Sequence, residues 1–239
     1  MSTQDWLDQP CPGLRKNPQQ SRSRARVLAV LAAAERLIVR EGLDGLTIRA
    51  LADEAGVPIG TVYQFFVDKA GVIDTLVHRH GLAMREMLAT LDGSPDLPRR
   101  PWPALVDEVF SHQVRRLRED PAYVTIWVER QLSPTAQRED DHDVERLAEL
   151  LCRLLVEQEP LADSPVLRGL CRVATQSADS LLHLAFRLDP GGDPATLHEA
   201  LHMVHLYLAD IVANPAHRTG SGRGSAQPLS RRNIPLAPE

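Results

Sequence analysis

Residues 198–202, HEALH, set two imidazoles four positions apart with a carboxylate beside the first. On a helix this spacing puts His198 and His202 on one face, where they could hold zinc while Glu199 acts as base toward a bound water. His205 follows on the same segment. A catalytic zinc also needs a third ligand and a cleft. The segment carries Leu197, Ala200, Leu201, Val204, Leu208 and Ile211 at packing period, so its histidines read first as polar edges of an interface. A helical zinc hydrolase is the alternative. The sequence has no Gly-rich phosphate loop, G-x-S-x-G elbow or C-x-x-C pair, and no cofactor or resident metal is expected. Cys11, Cys152 and Cys171 lie far apart, which argues against a disulfide framework and for a reducing cytoplasm.

A different chemistry is suggested by AGVPIGTVYQFFVDK, residues 55–69. Aromatic residues are 4% of the chain, yet Tyr63, Phe65 and Phe66 fall together behind Gly56, Pro58 and Gly60. A core needs apolar side chains but not this punctuation. If the stretch is a glycine turn followed by a short helix, Val62, Phe65 and Phe66 can point inward. Ile59, Gly60, Thr61, Tyr63 and Gln64 then form an outer face. Gly60 lets another backbone approach, and Thr61 and Tyr63 offer hydroxyls to phosphate oxygens. Gln64 can pair bidentately with an adenine edge, and Lys69 adds charge for a further phosphate.

The elements that must hold that face are helical, and no alternating strand pattern persists. A first helix over about 21–41 carries Val27, Leu28, Leu31, Ala34, Leu37 and Ile38 as one stripe, and Gly42 ends it. Thr47 caps a short second helix, closed by Gly56. Pro58 begins the third, and Asp68 opens a fourth that runs to about 91. Prolines then punctuate helices near 103–119, 121–131, 134–158, 165–188 and 194–213. The expectation is an all-α chain of about nine helices. Residues 1–20 read as a flexible arm, 21–67 as a helix-turn-helix unit, 68–214 as a second helical domain and 215–239 as a disordered Gly/Ser/Pro-rich tail.

The chain's net charge of −5 is unevenly spread. Between Arg15 and Arg49, eight basic residues face three acids. A basic end on an acidic protein suits contact with a polyanion. No apolar run approaches a membrane span, and the N-terminus lacks the apolar core of a signal peptide.

Two short helices joined by a glycine turn behind a longer basic helix make a helix-turn-helix. TIRALADEAGVPIGTVYQFFVDK, residues 47–69, resembles the TetR family of bacterial transcription regulators, whose pattern is T-x-x-x-[IL]-A-x-x-A-G-V-x-x-G-T-[LV]-Y-x-[HY]-F-x-x-K. Only Phe65 departs, standing where His or Tyr is commoner, which removes one phosphate contact. The resemblance covers about residues 21–75. It implies phosphate contacts from Thr47, Thr61, Tyr63 and Lys69, and base contacts from Arg49, Ile59 and Gln64. It further implies a cytoplasmic homodimer that binds double-stranded DNA, answers to a small-molecule effector, and is no enzyme. A ligand-responsive regulator, a repressor released from a pseudo-palindromic operator by a small hydrophobic molecule, is the expected function. An interaction module that has lost DNA binding is a further alternative.

For the effector, the candidate lining is Met84, Met87, Phe110, Trp127, Leu147 and Leu151, with Gln113, Gln176 and His183 as polar groups. Gln176 and His183 are seven apart on an otherwise apolar helix, where a ligand or water could satisfy them. Few basic residues fall in that predicted interior, so a large anionic ligand is not favoured. For the dimer, Val173, Ala174, Leu181, Leu197, Leu201, Val204 and Leu208 are candidates on the last two helices, which could form half of a four-helix interface.

Overall fold

The computed structural model describes residues 5–8, 10–94, 96–129 and 134–217. Nine α-helices occur among them. They are α1 (Ser21–Gly45), α2 (Ile48–Ala55), α3 (Ile59–Phe65), α4 (Lys69–Asp92), α5 (Trp102–Glu119), α6 (Pro121–Val128), α7 (Pro134–Gln158), α8 (Pro165–Leu188) and α9 (Pro194–Ala213). Short 3-10 turns cover Asp5–Asp8, Leu97–Arg99 and Pro215–His217. The fold is all-α, as expected.

The punctuation acts where its chemistry requires. Gly42 breaks α1 at φ 71°, a backbone region that side chains with a Cβ rarely enter. Thr47 Oγ1 accepts the Ala50 N–H at 3.1 Å and starts α2. Gly56 takes the left-handed conformation that ends α2, and its N–H reaches the Ala52 and Asp53 carbonyls. Pro58 caps α3 from outside instead of forming its first residue. Asp68 Oδ1 accepts the Gly71 N–H at 3.0 Å and begins α4. Helix α6 stops at Val128 rather than 131.

Two apolar cores result. The first joins α1–α3 to the first half of α4, to Ala122, Tyr123, Val124, Ile126 and Trp127 of α6, and to the end of α8. The second joins the far half of α4 to α5, α7, α9 and the start of α8. Helix α4 therefore passes through both, with Val72 and Leu76 in one and Leu88 and Leu91 in the other. Helix α6 packs on α1 as part of the first core, so the three N-terminal helices do not close a core alone.

The N-terminal segment differs from the mobile arm expected. Trp6, Leu7 and Cys11 are buried in the first core. Leu14 bridges Phe66, and the Arg15 N–H donates to the Phe65 carbonyl at 2.8 Å. Thr75 Oγ1 donates to the Pro12 carbonyl at 3.1 Å. Trp6, Leu7 and the small Cys11 gave the segment something to bury, though no helical period announced it. At the other end, Pro215–His217 form a turn whose His217 carbonyl accepts the Ala162 N–H at 2.7 Å. The rest of the expected tail, from 218, lies outside the described residues.

Candidate nucleic-acid interface and ligand cavity

Helix α3 is held by one face and exposed on the other. Val62, Phe65 and Phe66 are buried almost completely, while Ile59 and Tyr63 are each 47% exposed. Gly60 and Gln64 are exposed beside them, and Thr61 is half-buried. A Cβ added at Gly60 would meet nothing within 4 Å, so the protein itself does not require glycine there. Thr47 and Arg49 are exposed on the same helix-turn-helix, the first with its hydroxyl occupied as a cap. The structure thus brings Thr47, Arg49, Ile59, Gly60, Thr61, Tyr63 and Gln64 onto one unit. Phe65, where the pattern prefers His or Tyr, is a core residue.

Two expectations about charge change. Lys69 Nζ donates to the Leu43 carbonyl at 2.5 Å, so one of its three protons ties α4 to the end of α1. Arg36 and Arg40 both pair with Glu54, at 2.7 and 3.0 Å, so this part of the basic excess pins α1 to α2. Those two guanidiniums hold the half-buried Glu54 carboxyl below its usual range. They line an open cleft with Arg79 and Arg116 between α1 and α4–α6. Arg15, Lys16, Arg22 and Arg26 remain exposed toward the N-terminal end.

A cavity of about 160 Å³ lies among α4–α9. Of the candidate lining, Met84, Phe110, Gln113, Leu147 and Leu151 border it. Met87 instead packs, half-buried, against the second core. Trp127 and His183 meet edge to face at 5.0 Å between α6 and α8 and are not among the residues that border the cavity. Gln176 is exposed. Its register with His183 misleads because α6 covers the helix only near His183, leaving the same stripe open one turn pair earlier.

Sequence reasoning missed His80, Asp143 and Asp179, which also border the cavity. The signal existed for Asp143, which precedes Leu147, Leu150 and Leu154 along one helical stripe. His80 is 4% exposed and stacks on Tyr123 at 3.5 Å. Its Nδ1 lies 3.2 Å from Asp120 Oδ2, and Arg116 donates to the His80 carbonyl at 3.1 Å. Burial pushes the His80 pKa down despite Asp120, so the ring is neutral. Asp143 pairs with Arg85 at 2.8 Å, yet burial pushes its carboxyl up.

Helices α8 and α9 pack together and present another exposed face. Val173 is 52% exposed and Leu206 59%, and Val166 and Met203 are exposed on the same two helices. Leu181 and Leu201 are half-buried. Ala174, Leu197, Val204 and Leu208, expected at a subunit interface, are instead buried within the protomer. Their stripe is the one that α8 and α9 turn toward the chain's own cores. His198 and His202 stack on the outside at 6.4 Å, whereas His205 turns to Asp107 of α5 at 2.7 Å. Among the described residues no three His, Cys, Asp or Glu gather as metal ligands, and no helix is long and apolar enough to cross a membrane.

Residues 30–76 match the family described as bacterial regulatory proteins, tetR family, and residues 100–212 match a tetracyclin repressor-like C-terminal domain. A TetR-family transcriptional regulator from Streptomyces coelicolor is 30% identical with a TM-score of 0.58, over 78% of this chain and 99% of that one. The chain belongs to the TetR family. It is a DNA-binding transcription regulator with a C-terminal ligand-binding domain, and the zinc hydrolase alternative has no support. SmeT of Stenotrophomonas maltophilia, the repressor of the multidrug efflux pump SmeDEF, shares the fold. It is 20% identical with a TM-score of 0.61, over 86% of this chain and 96% of its own. An HTH-type transcriptional regulator of Haemophilus influenzae is 40% identical over 50 residues, 21% of this chain and 27% of its own length.

Proposed function

We propose that this TetR-family protein is a homodimeric repressor that leaves a pseudo-palindromic operator when a small, largely hydrophobic molecule enters the cavity among α4–α9. The observation that carries the DNA half is the division of α3, with Val62, Phe65 and Phe66 buried and Ile59, Gly60, Tyr63 and Gln64 outward. Two such helices would enter successive major grooves about 34–36 Å apart. Thr47, Thr61, Tyr63 and the free protons of Lys69 serve the phosphates, and Arg49, Ile59 and Gln64 serve the bases. The outer face of α8 and α9, around Val173 and Leu206, joins the protomers, and the protein works in the cytoplasm where its DNA is.

The connectivity supports a route from ligand to DNA. Tyr123 and His80 border the cavity. Tyr123 lies on α6, which packs on α1, and His80 lies on α4, which begins at the end of α3. A ligand that displaces either side chain moves an element shared with the DNA-binding core. It releases DNA only if it binds the displaced state more tightly, since equal affinity for both states shifts nothing.

The test is selection of bound sequences from a random duplex library by wild type and by Gln64→Ala. The wild type should recover one pseudo-palindrome, and the variant a site relaxed at symmetric positions. Recovery of the same site by both would remove Gln64 as a base reader. No sequence preference from wild type would favour the interaction module instead.

A further inference from the structure

We infer that the effector is a cationic amphiphile: an amine, or another positively charged hydrogen-bond donor, on an apolar body of about the size of a benzene ring. The inference rests on the ligand-binding reading of the cavity and specifies what that cavity accepts. Most of the lining is aliphatic or aromatic, but three buried polar atoms of the lining residues have no partner. These are His80 Nε2, Gln113 Oε1 and Asp143 Oδ1. They come from α4, α5 and α7, so three helices each contribute one.

All three are acceptors. The His80 Nδ1 lies 3.2 Å from the Asp120 carboxylate, which can only accept. It also lies 3.4 Å from the Arg116 guanidinium, which can only donate and already meets the His80 carbonyl at 3.1 Å. The shorter Asp120 contact assigns the proton to Nδ1 and leaves Nε2 a lone pair. Gln113 leaves its carbonyl oxygen unmet. Asp143 spends Oδ2 on Arg85 at 2.8 Å and leaves Oδ1 unmet. A buried acceptor without a donor is costly, and three at one cavity define the missing partner as a donor of several protons.

Charge narrows the choice further. The ionisable groups that border the cavity are the carboxylates of Asp143 and Asp179, the neutral His80 ring and the Tyr123 phenol. The nearby cations stand behind this wall. Arg85 sits on the other oxygen of Asp143, and Arg116 on the His80 carbonyl and, at 3.4 Å, on its Nδ1, the ring nitrogen opposite Nε2. An ammonium donates three protons and answers both the acceptors and the negative lining, whereas a carboxylate ligand would add acceptors where donors are lacking. The size follows from the cavity's 160 Å³, close to the roughly 150 Å³ engineered apolar cavity known to admit benzene.

The test is calorimetric titration of the full chain with 2-phenylethylamine, 2-phenylethanol and phenylacetate, which share one apolar body. The amine should bind about tenfold or more tightly than the alcohol, with phenylacetate weaker than either. Asp143→Asn should reduce that preference for the amine about tenfold. Gln113→Leu, which leaves the Arg85 pair intact and replaces a half-buried amide by an apolar chain, should also weaken the amine and spare the alcohol. Equal binding of amine and alcohol, tighter binding of phenylacetate, or no binding of any probe at millimolar concentration would overturn the inference. So would amine affinity unchanged in both variants, which would mean ordered water satisfies the acceptors. None of these results touches selection of operator DNA by the ligand-free protein, so this inference and the regulator reading fail separately.

Discussion

Gly71 stands in the first turn of α4 against Gly13 of the N-terminal segment, and neither has room for a side chain. A Cβ on Gly71 would lie 2.7 Å from the Gly13 carbonyl oxygen, and one on Gly13 would lie 2.0 Å from the Gly71 oxygen. Gly71→Ala therefore sets two effects against each other. Alanine is favoured over glycine in a helix by up to about 1 kcal/mol. Against that, the clash is with backbone, so residues 12–15 must shift. Two hydrogen bonds flank the clash, Arg15 to Phe65 at 2.8 Å and Thr75 to Pro12 at 3.1 Å, the second sharing its one proton with the Gly71 carbonyl at 2.8 Å. Losing both costs roughly 1–3 kcal/mol, and loosening the fully buried Leu7 adds about 1 kcal/mol. The net expectation is a loss of about 1–3 kcal/mol, seen as a melting temperature lower by roughly 2–10 °C. Thermal unfolding by circular dichroism measures it, with Gly169→Ala as control. That glycine lies in α8 with nothing within 4 Å of an added Cβ, so its substitution should leave stability equal or higher. If Gly71→Ala stabilises as the control does, the N-terminal segment is not seated on α4 and the reasoning fails.

Other consequences follow from the same geometry. Tyr63→Ala should weaken operator binding about tenfold with the melting temperature nearly unchanged, since the ring is half exposed; anisotropy titration beside a melt reads both. Gly60→Ala should keep the fold and lose DNA affinity, because the added Cβ meets nothing in the protein and takes space the proposed interface gives to DNA. Leu206→Glu should dissociate dimers into folded monomers, whereas Leu208→Glu should unfold the chain, as sedimentation and melting will show. Stability should fall as pH drops from about 7.5 to 5.5, because burial holds the His80 pKa below 6.5 and the unfolded chain then binds more protons than the folded one. His112, lowered also by burial, adds in the same sense, so His80→Gln should flatten the slope without abolishing it.

The helix boundaries were legible because each rests on a local cause: Thr47, Gly56, Asp68 and the prolines at the starts of α5 to α9 act within one turn of themselves. The division of α3 was legible for a related reason, since Val62 and Phe65/Phe66 fall on one side of so short a helix. The cavity was legible only in part. Periodicity identified Phe110, Leu147 and Leu151 as inward, but inward residues divide between cavity and solid core according to which helix lies opposite. That is a tertiary fact, and it moved Met87, Trp127 and His183 into packing. The same limit moved Ala174, Leu197, Val204 and Leu208, four of the expected dimer residues, into the protomer's own cores. Ala174 and Leu208 sit on the broadest apolar stripes, and a chain buries such stripes in its own core first. The narrower set of Val173, Met203 and Leu206 stays exposed, which is why the proposed dimer contact is placed there. The N-terminal segment escaped notice because its anchors, Trp6, Leu7 and Cys11, follow neither helical nor strand period.

The most direct test of the central claim is a hydroxyl-radical footprint of the wild-type protein on its selected duplex. Two protected patches on one face of the DNA, one helical turn apart and both lost with Tyr63→Ala, are the expected result. A single patch, or uniform protection that disappears as salt is raised, would contradict a dimer reading two half-sites through α3.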